Sequence, residues 1–179
     1  MEYNSIADIY SANQKIRQRL NATLATITPE EAVALPEGEK WTIEHIVEHL
    51  WMVEFGVSRL CSRLLEAAMA DGKPSDGSYT ISDSFARRAA EIAVIKVEAP
   101  DRVQPKGETT IEQSIERMQA NRRDLEALRA DLERFDMSGH TFPHPFFGEL
   151  TAPEWLVMLG WHERRHTEQL QRVLDRVRV

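Results

Sequence analysis

The chain has 179 residues, 42% of them hydrophobic and 28% charged. That balance suits one soluble globular domain with a buried core and excludes a disordered tail, a collagen-like fibre and a disulfide scaffold. The net charge of −7 repels a phosphate backbone, so nucleic acid is not an expected partner.

The elements follow from apolar period and from punctuation. Met1 to Tyr10 lacks the basic-then-apolar pattern of a signal peptide. Ile6, Ile9, Ile16, Leu20 and Leu24 recur at three- and four-residue steps, which predicts a first helix from Ser5 to Ala25. Thr28-Pro29-Glu30-Glu31 is a capping box with proline at the first helical position, so a short helical turn begins there. Thr42 opens a second long helix, with Trp41 stapled against Ile46, that continues to Ala70 and stops at Asp71-Gly72. Ser82 to Ile95 reads as a shorter helix, and Ala99 to Glu108, with Pro100, Pro105 and Gly107, as loop. Thr110-Ile111-Glu112-Gln113 starts a third long helix to Arg134, with an exposed face of charge pairs. Phe135 to Leu150 is a loop rich in aromatics, Pro and His, and Thr151-Ala152-Pro153-Glu154 starts a last helix to Val177.

No alternating β-branched run is present, so no sheet is expected. No apolar run approaches the roughly 20 residues of a membrane span. The lone cysteine, Cys61, lies in an apolar stripe and reads as a buried inert thiol. The expected fold is therefore all-α: one domain over 1–179, a four-helix bundle. The long stretch between the second and third long helices is a crossover along the bundle, not a tight turn. A cytoplasmic protein without a membrane partner is expected.

Six histidines form three pairs at i, i+4: His45 and His49, His140 and His144, His162 and His166. On a helix that spacing puts two rings on one face, as two ligands of one metal require. In the last helix, His162 and His166 fall within roughly 60° of the centre of the stripe set by Trp155, Leu159, Leu170 and Val173. Imidazoles in an apolar stripe need a partner: a metal, or side chains of neighbouring helices. In the second helix, His49 lies at the edge of the stripe and His45 further round, toward solvent. His140 and His144 sit in the loop, where the spacing has no helical meaning; His140 reads as loop packing and His144 as a pocket-lining residue.

His162-Glu163-Arg164-Arg165-His166 also fits H-E-x-x-H, in which zinc proteases find two ligands and a base. The extended form fails, because Gln169 and Arg172 stand where Gly and His are needed, and no strand is expected beside the helix. Glu163 remains as a catalytic base, with a salt bridge to a neighbouring arginine as the alternative. Trp51 and Trp161 point away from their own stripes, which suggests an oligomer interface or the lip of a pocket.

Trp41-Thr42-Ile43-Glu44-His45-Ile46-Val47-Glu48-His49-Leu50 resembles the W-S-x-x-E-x-x-x-H-L start of the second helix in DinB-like proteins, with His45 at the fifth position. His162 to Leu170 resembles that family's H-x-x-x-H-x-x-Q-[IL], and His144-Pro145-Phe146-Phe147-Gly148 followed by Glu154-Trp155 is similar to the segment before it. The resemblance runs through nearly the whole chain in order. It implies an up-down-down-up bundle whose two central helices run parallel, a frequent homodimer, and a divalent ion (Zn, Ni or Mn) on His49, His162 and His166. Characterised members include thiol-S-transferases and isomerases that use low-molecular-weight thiols such as bacillithiol, mycothiol or glutathione. The implied function is a metal-dependent transferase or hydrolase acting on a small-molecule substrate. The rival is a non-catalytic binding or stress-response module with a structural metal.

Overall fold

Each long helix begins where a Ser or Thr oxygen accepts a backbone N–H that the first helical turn leaves unpaired. The computed structural model describes residues 3–93 and 98–179. Helix α1 (Ile6–Leu24) starts behind Ser5, which accepts the Asp8 N–H. The short α2 (Pro29–Val33) starts behind Thr28 with a complete capping box. Helix α3 (Ile43–Asp71) starts behind Thr42, and Gly72 ends it in the left-handed conformation, which costs glycine nothing. Helix α4 (Asp83–Ala93) occupies most of the expected Ser82–Ile95 helix; residues 94–95, like Met1 and Glu2, lie outside the described residues. Helices α5 (Ile111–Arg134) and α6 (Ala152–Val177) start behind Thr110 and Thr151, again with complete boxes.

The bundle contains two hydrophobic clusters. One joins the N-terminal parts of α1 and α6 to the C-terminal parts of α3 and α5, through Ile9, Leu156, Leu64 and Leu132. The other joins the opposite ends, through Leu20, Leu170, Ile46 and Met118. Helices α1 and α6 therefore run one way and α3 and α5 the other, so residues 72–110 cross the length of the bundle. This is the expected up-down-down-up four-helix bundle. Helix α3 packs against α5 and α6, and α1 packs mainly against α6.

A charged layer separates the clusters. Arg17 donates from Nε to Glu163 Oε1 at 2.8 Å and from Nη2 to Glu163 Oε2 at 2.7 Å and Glu54 Oε1 at 2.8 Å. Arg122 reaches Glu54 at 3.2 Å. Glu54 and Glu163 are 1% and 2% exposed, so the guanidinium groups are what allow two carboxylates inside the bundle. Beside this layer α1 and α6 approach closely at Gly160. A Cβ there would lie 2.0 Å from Asn13 Oδ1, while Asn13 Nδ2 donates to the Leu156 carbonyl at 2.9 Å.

Three sequence expectations need correction. The 135–150 loop contains a two-stranded antiparallel hairpin, β1 (Thr141–His144) and β2 (Gly148–Thr151), so a strand does lead into α6. Only four residues long and mostly exposed, the strands lack the apolar alternation that would announce them. Trp51 and Trp161 are half-buried, not free: the Arg117 guanidinium lies 4.6 Å over Trp51, and the Phe85 ring is 5.3 Å from Trp161. His45 is no solvated surface residue. It takes the third position of the α3 capping box, and its Nδ1 accepts the Thr42 N–H at 3.3 Å.

Candidate metal centre

Helix α3 carries His49 in its second turn, and α6 carries His162 and His166 one turn apart; these helices are packed neighbours. The three rings converge, with centroids 4.9 Å apart for His49 and His162, 4.8 Å for His49 and His166, and 4.4 Å for His162 and His166. One nitrogen from each lies within 4.8 Å of the others. Among the described residues this is the one group of three or more His, Cys, Asp or Glu side chains so arranged. The indole of Trp41 walls it, 4.9 Å from His49 and stacked 6.1 Å from His166.

The hydrogen bonds around the triad fix which nitrogens are free. His49 Nδ1 lies 2.7 Å from the Val103 carbonyl. A carbonyl only accepts, so Nδ1 carries the proton and Nε2 holds a lone pair. His166 Nδ1 is bound in the same way by Gln169 Oε1 at 2.8 Å. The free His49 Nε2 then meets His162 Nε2 at 3.0 Å, while His162 Nδ1 is buried without a partner. Whichever tautomer His162 adopts, one of its buried nitrogens is left unsatisfied. Two nitrogens bonded at about 2.0 Å to one tetrahedral ion stand about 3.3 Å apart, so the observed approach fits a shared cation. Burial also keeps the rings neutral, as ligands must be. It lowers the pKa of His49, against the Val103 bond, lowers that of His162 well below the ordinary value, and pushes His166 down to about 3.

The other predicted residues are not part of the triad. His144, at the hairpin, accepts the Phe146 and Phe147 N–H groups at Nδ1. Burial, with a contribution from Arg102, lowers its pKa to about 4. Its ring packs on Phe147 and Trp155, and Phe147 stacks on Phe85, which meets Trp161 beside His162. Glu163 has both oxygens on Arg17, the salt-bridge alternative weighed for it. His140 pairs with Asp71 at 2.9 Å, away from the triad.

A family model of the DinB superfamily matches residues 12–170. The chain belongs to the DinB superfamily. A similar protein is the uncharacterized protein YuaE of Bacillus subtilis, 23% identical over 155 residues that span 86% of this chain and 90% of that protein. Among solved structures, TT2238, a four-helix bundle protein, is similar with a TM-score of 0.62 and 22% identity, over 94% of this chain and 99% of the other. That likeness shows the shared bundle. The three histidines selected by the DinB-like motifs are the three whose rings meet.

Two groups of functional interest escaped the sequence reading. Arg17, Glu54 and Arg122 form the layer beneath Glu163, and Glu48 supports the crossover beside His49. The signal for the first was in the sequence: Arg17 lies one turn after Asn13 and in phase with Leu20, polar residues inside an apolar stripe.

Proposed function

We propose that this protein is a metal-dependent enzyme in which His49, His162 and His166 hold one divalent ion, Zn, Ni or Mn, for thiol transfer or hydrolysis of a small molecule. The observation that carries this reading is the approach of His49 Nε2 to His162 Nε2 at 3.0 Å, with the His49 Nδ1 proton committed to a carbonyl. Three protein ligands leave one or two positions open, the arrangement of catalytic zinc, whereas structural zinc is closed by four. A divalent ion bound there lowers the pKa of a bound water or thiol toward neutrality.

The chain's own residues orient and enclose. Val103 and Gln169 fix the ring orientation of His49 and His166, and Trp41 excludes water from one side. His144 accepts at Nδ1, so its proton sits at Nε2, where it can donate to a substrate oxygen or sulfur. Glu163 serves as a base only if Arg17 releases one of its oxygens. The co-substrate of the transfer reading is a low-molecular-weight thiol. A homodimer belongs to the same reading, motivated by Trp51 and Trp161 and by the family resemblance, and a cytoplasmic location by the composition and lone cysteine; a clean monomer of about 20.5 kDa in sedimentation at micromolar concentration refutes the dimer.

The test presents electrophiles and hydrolysable esters with a panel of low-molecular-weight thiols, with and without added Zn²⁺, Ni²⁺ or Mn²⁺. Metal-dependent turnover that disappears in His162→Ala supports the reading. Tight metal binding without turnover in any combination favours a non-catalytic module.

A further inference from the structure

We propose that Glu48 is a positioning residue of the metal centre, acting through the crossover segment 103–108, whose Val103 carbonyl orients His49. The inference rests on the metal reading above.

Glu48 precedes His49 on α3 and is 3% exposed, yet no cation among the described residues holds it. Its partners are three successive backbone N–H groups: Lys106 at 3.0 Å and Gly107 at 2.7 Å on Oε2, and Glu108 at 3.1 Å on Oε1. Consecutive amides turned onto one anion form a nest, which needs a residue of positive φ. Gly107 supplies it at φ +70°, and a Cβ there would meet His45 Nε2 at 3.1 Å. His45 and Glu48 thus hold one side of a short stretch of chain. Val103, three residues earlier, holds its other side to the triad by accepting the His49 Nδ1 proton at 2.7 Å.

The consequence for the metal follows from that proton. With the carbonyl in place, His49 keeps Nε2 as a lone pair aimed at His162. If the nest opens, Val103 leaves with the loop and His49 gains freedom to rotate or to change tautomer. Groups that fix the far nitrogen of a histidine ligand affect metal affinity by about 10- to 100-fold when removed. Coupling of this kind is reciprocal, so an ion on the triad also tightens the nest.

Glu48→Gln preserves the shape of the side chain but replaces one accepting oxygen with an NH₂ group that faces an N–H donor. The experiment measures Zn²⁺ affinity by competition with a chelating dye, and amide hydrogen exchange at residues 106–108 with and without Zn²⁺. It compares wild type, Glu48→Gln, Gly107→Ala and His49→Ala. The expected result is a loss of Zn²⁺ affinity of about tenfold or more in Glu48→Gln, and a loss in the same direction in Gly107→Ala, which keeps all three ligands. Exchange at 106–108 slows on adding Zn²⁺ to wild type and does not respond in His49→Ala. A Glu48→Gln protein that melts lower without metal but binds Zn²⁺ as wild type does overturns the proposal and leaves the metal reading standing. Wild type that takes up no metal overturns both. If Glu48→Gln does not fold, Gly107→Ala and the exchange response of wild type decide.

Discussion

Arg17 is the group whose removal should cost the bundle most. Its guanidinium makes three of the charge-assisted contacts in the layer and is the only one within 3.0 Å of both Glu54 and Glu163. Arg17→Met keeps the length and the apolar stem but leaves two buried carboxylates to Arg122, which stands 3.2 Å and 3.6 Å away. Stripping one partner from a buried ion pair costs about 3–5 kcal/mol, because the remaining charge is neither hydrated nor paired. For a chain of this size that is a fall in Tm of roughly 6–20 °C. Burial already raises the Glu54 pKa against the pull of Arg17 and Arg122, so the variant should respond by taking up a proton. Adding Glu163→Gln in the Arg17→Met background removes one stranded charge and should restore about 1–3 kcal/mol. Urea unfolding at neutral pH of the two single variants and the double variant measures this coupling. A loss below about 1 kcal/mol for Arg17→Met, the range of an exposed pair, refutes the reasoning.

Gly160→Ala forces a Cβ against Asn13 Oδ1 and should destabilise by about 1–3 kcal/mol, whereas in an Asn13→Ala background the same change should be nearly neutral; equal losses in thermal melts of both backgrounds refute the clash. The metal-free protein should weaken in acid. The folded pKa values of His49, His162 and His166 lie below the ordinary 6.5, that of His166 at about 3, so between these limits the unfolded chain binds protons that the folded chain refuses. Stability is therefore complete above pH 6.5 and falls below it, by up to about 1.4 kcal/mol per pH unit for each histidine. A urea midpoint unchanged between about pH 7.5 and 5 contradicts this.

Helix boundaries were legible because they are written locally. Thr28, Thr110 and Thr151 each precede a Glu or Gln at the third helical position, and the structure closes a box at every one. The box at Thr42 escaped because His45 stands in the place of the acid. Phase on a single helix located His162 and His166, since α6 is buried along the stripe that contains them. The same reasoning failed for His45 because it assumed that α3 has one covered face. The crossover covers another: Glu48 is buried there against the amides of residues 106–108, and Gly107 lies beside His45. The charged layer shows itself in the sequence only as Arg17 inside the α1 stripe; its pairings do not. Glu163 meets Arg17 across 146 residues of sequence and Glu54 meets it across 37, and such pairings appear only once the helices are assembled.

The most direct test of the central claim is the metal content of reconstituted wild type beside His45→Ala, His49→Ala, His162→Ala and His166→Ala. Wild type should hold one divalent ion per chain. His45→Ala should retain it at saturating metal, while losing about 1 kcal/mol of stability with its cap. His49→Ala, His162→Ala and His166→Ala should each lose it, because two remaining imidazoles keep neither the ligand count nor the preorganised geometry. Wild type that holds no metal after reconstitution contradicts the account, as does a His49→Ala protein that keeps its ion while His45→Ala loses it.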